Sequence, residues 1–266
     1  MRTFFSDKPH RWILFILLLE YITMGFSGVL FSGLAGTRFF SPGIDPGQWL
    51  FFLIGLPQFL ISHPAWALLA DGCMLIGIVW LIRHPEDHRI ARLLFLLAWC
   101  YYATLTACLG HRNFQSGMVF VFIPFLFRLK DNRYLAWEAV RYFILFFYVS
   151  AALFKIFHNG LFDSGHMSQI LTGQLAPYHF EQVAGIRMKL NHYLIVHPGF
   201  AQVLFIGSVF IEFLPLAGFL TKRWDRLIAF SVILFHLVNW LIMDIAPIGQ
   251  LAFLSLLLFP FESKKP

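Results

Sequence analysis

Eight apolar runs, separated by short segments in which Lys and Arg gather, constrain this chain more than any other feature. A bilayer has a hydrocarbon core about 30 Å thick, which about 20 mostly apolar residues cross as a helix. The runs are residues 12–31, 64–82, 93–109, 117–127, 137–157, 199–220, 227–243 and 247–259. Two of them, 117–127 (extended by a few residues) and 247–259, are short for a full span and fit tilted, thin or partly re-entrant helices. Residues 49–62 are apolar too, but the stretch is brief and broken by Pro57, which fits an interfacial or re-entrant piece better than a ninth span.

Composition agrees. With 59% hydrophobic and 13% charged residues and a mean hydropathy of +0.71, the 266-residue chain holds more apolar side chain than a soluble domain of that size buries. The fold expected is an all-α integral membrane protein of about eight transmembrane helices, a single domain over residues 1–266 with no separate soluble domain. Residues 159–198, between helices five and six, mix apolar and polar side chains and are expected to lie over the outer surface as short amphipathic helices.

Eight spans put alternate loops on alternate sides, and the Lys/Arg bias follows. One side collects 15 basic residues, including Arg83, Arg89, Arg92, Arg128, Arg133, Lys222, Arg223 and Arg226; the other holds only Arg38, Arg112, Lys155, Arg187 and Lys189. Positive residues mark the cytoplasmic side, so both termini are expected there. The net charge of +6 therefore reflects topology, and nucleic acid is not expected as a partner. The N-terminus lacks a small-residue cleavage site, so the first run reads as a retained helix. Cys73, Cys100 and Cys108 fall inside apolar runs, form no C-x-x-C pair and read as small buried hydrophobes.

Ionisable groups inside spans are expensive and usually face the bundle interior or a wet cavity. The site candidates among them are Glu20, Asp71, Lys155, Glu212 and His236. Counting along the runs puts Lys155 near the outer end of its helix, Asp71 in an outer half, His236 near mid-membrane and Glu212 deeper toward the cytoplasm. His111, Asn113, His158, Asn239 and Asp244 gather toward the outer end, and His236 and Asn239 share one helix face. Together they outline an outward-opening polar pocket. Each has a plainer role as well: Lys155 can snorkel to headgroups, Glu212 can bond backbone loosened by Pro215, and His236 with Asn239 can be interhelical glue. His84 and His88 have i, i+4 spacing, but they flank Pro85 in a charged loop and no companion box accompanies them, so no metal is expected. No P-loop, dinucleotide, nucleophile-elbow or H-E-x-x-H motif is present.

The run Arg141-Tyr142-Phe143 through Tyr148-Val149-Ser150-Ala151-Ala152-Leu153-Phe154-Lys155, followed by Phe162-Asp163-Ser164-Gly165, resembles the lysine signature of the HTTM family, the membrane domain shared with vitamin K-dependent gamma-carboxylases. Phe210 to Pro215, with Glu212 shortly before the proline, looks like another helix of that family, and Phe235-His236-Leu237-Val238-Asn239 resembles its F-H-L-x-N segment. In the carboxylases the matching lysine deprotonates vitamin K hydroquinone. The resemblance thus implies Lys155 as base, His111 as its catalytic companion, a reduced vitamin K-like quinone as cofactor, and a pocket of Asn113, His236, Asn239, Asp71, Glu212 and Tyr148. The outward position given by the charge bias agrees with a carboxylase site facing the lumen, and the membrane expected is a bacterial inner membrane or a plasma membrane.

The chain departs from the family pattern at Ala152, at Phe162 and at the separated His111-Arg112-Asn113, and it shows no counterpart of the carboxylases' large luminal domain. A second reading follows from those departures: a non-catalytic membrane subunit that helps mature or export a secreted peptide, with that peptide or an accessory protein as partner. A small-solute transporter is a third, weakened because the intramembrane charges do not fall into two matching halves.

Overall fold

Hydrocarbon offers backbone groups no water, so a chain of this composition must satisfy them within helices. The computed structural model describes residues 9–37, 46–109, 116–128, 130–158, 161–180, 185–243 and 249–259, and among these every regular element is helical. In chain order they are α1 (Pro9–Phe26), α2 (Pro46–Leu53), α3 (Leu56–Ser62), α4 (Pro64–Arg83), α5 (His88–Leu109), α6 (Ser116–Phe122), α7 (Lys130–Phe157), α8 (His166–Phe180), α9 (Ile186–Val196), α10 (Pro198–Phe213), α11 (Pro215–Leu220), α12 (Asp225–Met243) and α13 (Gln250–Leu258). Five stretches, Pro64–Arg83, His88–Cys108, Asn132–Phe157, Pro198–Leu220 and Lys222–Met243, are long and apolar enough to cross a membrane. Their outer faces are apolar as well: Leu68, Ile76, Phe146, Phe210 and Phe230 are each more than 60% exposed. Water would penalise such a surface and lipid would not.

Local chemistry sets the helix ends, and in places it moves them from where hydropathy alone puts them. The first run loses its last residues to a turn, because Gly28 adopts φ +68° and the chain then folds back with Phe31 buried. The third run gains a turn at its start. Asp87 Oδ1 accepts the N–H groups of Arg89 and Ile90, capping α5 at His88 although His88, Arg89 and Arg92 are polar. Residues 49–62 form two short helices hinged at Gly55, φ +69°. Pro215 divides the sixth run into α10 and α11, with Leu214 still in helical geometry between them.

The chain forms two compact units, Met1–Arg141 with Pro247–Pro266, and Tyr142–Ala246. In the first, α1 packs against α4 and α13, and α5 and α13 both pack against α6. Glu20 of α1 accepts the N–H groups of Leu251 and Ala252 at 2.8 and 3.1 Å, so a carboxylate caps the first turn of α13. Trp137 donates its indole N–H to the Leu256 carbonyl at 2.9 Å. In the second unit, Met167 and Leu171 of α8, Leu194 of α9, Ala201, Phe205 and Val209 of α10, Ala152 of α7 and Ile242 of α12 share one core.

Helices approach closely in membranes where side chains are small. Gly117 of α6 is such a point: a Cβ there would run into the Gly249 carbonyl and come within 2.9 Å of Phe253 Cβ. Gly117→Ala is therefore expected to destabilise the protein by about 2 kcal/mol, whereas Gly72→Ala, which meets open space, should be neutral. Thermal unfolding of the two variants in detergent checks this.

Candidate functional site

Helical spacing brings the site together. Tyr148, Ala152 and Lys155 recur at i, i+4 and i+7 on α7, as do Phe205, Val209 and Glu212 on α10, so each set forms one stripe. All six lie in the second unit, where α12 adds the neighbours Phe235 and His236.

At the centre Lys155 Nζ donates to both carboxylate oxygens of Glu212, at 2.8 Å to Oε1 and 2.7 Å to Oε2. The Glu212 side chain is only 6% exposed and that of Lys155 28%, so the pair sits largely inside the protein. Two rings flank the ammonium: the Phe205 centroid lies 5.7 Å and the Phe235 centroid 5.5 Å from Nζ. Two turns earlier on α7, the Tyr148 hydroxyl and His236 Nε2 meet at 2.6 Å, the proton lying on one or the other according to the imidazole tautomer. Both residues are buried.

Depth counted along the runs separates Lys155 from Glu212, and the structure corrects this by joining them. The helix ends are those the runs give, α7 stopping at Phe157 and α10 starting at Pro198; what the runs leave out is the packing of α8 and α9 against α10, with which the end of α7 meets the last turn of α10. The intervening α8 and α9 share the core of α10 and α12, so the unit continues past the end of α7. Lys155 is thus paired inside the unit and not free to snorkel, and Glu212 bonds the lysine, where the sequence allowed a backbone group near Pro215.

The other expected residues divide. His236 and Tyr148 stand with Lys155 in the second unit; Asn239 is half-buried one turn beyond His236 and shares none of these contacts. His158 is exposed, stacks on Phe154 and bonds the Phe154 carbonyl at 3.0 Å. His111, Asn113 and Asp244 lie outside the described residues. Asp71 belongs to the first unit, where it holds a turn: its carboxylate accepts the N–H groups of Phe31 (3.2 Å) and Ser32 (2.9 Å) and the Tyr101 hydroxyl. Tyr21 completes that cluster, donating to the Asp71 carbonyl at 3.1 Å and meeting the Tyr101 hydroxyl at 2.8 Å. Sequence reasoning passes over Tyr21, Tyr101 and Phe205 and meets Phe235 only as the first residue of the F-H-L-x-N segment; the one available signal for the tyrosines is that they put polar tips inside apolar runs. Among the described residues no three His, Cys, Asp or Glu side chains group as metal ligands.

An ammonium locked to a carboxylate, with aromatic rings beside it, can hold a proton, accept one at the carboxylate, and place positive charge beside an anion. Comparison of the chain with known protein families, curated proteins and solved structures returns no match.

Replacing Asp71 by Leu strands two backbone N–H groups and one hydroxyl, and is expected to cost about 3 kcal/mol. Tyr101→Phe removes a single donor and should cost about 1 kcal/mol. Denaturant titration of both variants in the same detergent tests the ordering.

Proposed function

We propose that this chain is an HTTM-like, vitamin K-dependent gamma-carboxylase-like integral membrane enzyme that uses a reduced quinone at an outward-facing site, with the Lys155–Glu212 pair as its proton acceptor. The observation that carries the proposal is that Lys155, the residue matching the family's signature lysine, is turned inward onto a carboxylate between two aromatic rings. In this reading the chain crosses the membrane eight times with both termini cytoplasmic; α1, α6 and α13 supply the shorter spans, and α8 and α9 lie toward the outer surface. The Lys/Arg bias supports that orientation.

The residues fit a flat apolar cofactor. Phe205 and Phe235 offer ring faces, and the pair offers a proton acceptor and a cation side by side. A reduced quinone, when bound, supplies an acidic hydroxyl and reducing equivalents. Glu212 takes the proton at a carboxylate oxygen, and Lys155 Nζ keeps its positive charge where negative charge develops. Tyr148 and His236 form a second proton-holding couple in the same unit. The apolar neighbours lower the local polarity, which strengthens these interactions.

One observation favours the non-catalytic subunit instead. Both oxygens of Glu212 are engaged by Lys155, as expected of a brace that only ties α7 to α10. The two readings part in one assay: oxidation of vitamin K hydroquinone by dioxygen, catalysed by the purified protein in nanodiscs. General acid–base groups contribute about 100- to 10,000-fold, so Lys155→Ala and Glu212→Gln should each slow oxidation by at least about 100-fold. Unchanged rates in both variants would leave only the brace.

A further inference from the structure

The turn joining α4 to α5 takes no part in the Lys155 proposal. It belongs to the first unit, where Trp80, His84, Glu86, Asp87, His88, Arg89 and, from beyond α6, Arg128 line an open cleft of about 670 Å³.

The cleft has two acids, and the fold engages both. Glu86 pairs with the buried Arg133 at 3.0 Å. Asp87 accepts the Trp80 indole N–H at 3.0 Å and the backbone N–H groups of Arg89 and Ile90. The indole bond is the main reason that Asp87, in this turn outside the spans, lies below the usual carboxylate range. Its lone pairs are thus directed to the turn and to the start of α5. Arg89 and Arg128 are exposed and have no ion-pair partner among the described residues. The His84 ring leans on Trp80, with centroids 4.4 Å apart and planes tilted by 38°, and His88 adds a further ring nitrogen donor or acceptor.

Two unpaired guanidiniums facing one open cleft match a phosphate, which accepts planar N–H forks from more than one side. Trp80 is 47% exposed at the end of an apolar helix, with its polar edge turned to Asp87. An indole so placed suits the headgroup level of a bilayer. We infer that this cleft is a binding site for a phosphate ester, held by Arg89 and Arg128 and walled by Trp80. The ester comes either from an anionic phospholipid headgroup or from a soluble phosphate. The geometry is independent of the orientation proposed above, which bears only on which leaflet would supply a lipid.

The test uses the full-length protein, the variant Arg89→Gln/Arg128→Gln, and the control Lys222→Gln/Arg223→Gln, which removes two charges from another basic turn. In the lipid arm, each is delipidated in detergent and titrated with phosphatidylglycerol or phosphatidylcholine, and bound lipid is counted by native mass spectrometry. In the soluble arm, glycerol phosphate is titrated by calorimetry into protein in phosphatidylcholine nanodiscs. The unmodified protein and the control should bind at least one of the two anionic probes about tenfold more tightly than the double arginine variant does. The arm that shows the difference identifies the source. Equal binding by the double arginine variant in both arms, or an equal loss in the control, overturns the site. Hydroquinone oxidation unaffected by Arg89→Gln/Arg128→Gln keeps this outcome separate from the fate of the Lys155 proposal.

Discussion

A charged lysine has no stable place inside an apolar helix bundle unless something opposite in charge holds it there, and Glu212 meets that need for Lys155. Stripping water from two ions is expensive; their mutual attraction in a weakly polarisable interior repays it only when geometry is close and the remaining lone pairs are satisfied. Here both carboxylate oxygens take an N–H of the ammonium, and the Phe205 and Phe235 rings lie beside it. The pair joins the last turn of α7 to α10 beneath the core that α8 and α9 share with them. Both Tyr148 and Ala152 follow from it, because an inward Lys155 places the residues at i−7 and i−3 on the same stripe.

The first unit meets the same constraint by other means. Its buried carboxylates, Glu20 and Asp71, take backbone N–H groups where an ammonium could have served. Each secures a segment distant in sequence: Glu20 the first turn of α13, Asp71 the turn after α1. Polar atoms inside this chain therefore act mainly as fasteners. In the second unit the fastener is made of two groups that can also pass a proton between them, and this sets it apart as a site.

Much of the fold is legible in hydropathy, because lipid demands runs of a given length and the runs are plain. Each of the eight apolar runs holds a helix. Boundaries are less legible, since they follow single side chains: Gly28 shortens the first run, and Asp87 extends the third into polar residues. The site is half legible. An intramembrane Lys155 and Glu212 are conspicuous as costly residues, but their pairing is not, because the lengths of the runs do not say how far α10 is shifted along α7. Phe205 cannot be told from the many other phenylalanines by pattern alone, and Asp71 looks like a pocket residue until the backbone N–H groups of Phe31 and Ser32 are seen to occupy it.

The pairing itself is the claim on which the rest stands, and a double-mutant cycle on unfolding free energy reads it most directly. Lys155→Met leaves a carboxylate buried alone and Glu212→Leu leaves an ammonium; each should lose about 3 kcal/mol, while the double variant, freed of both charges, should lose less than either. Losses that simply add would mean that Lys155 and Glu212 do not meet inside the unit, and that the lysine instead reaches the headgroups on its own.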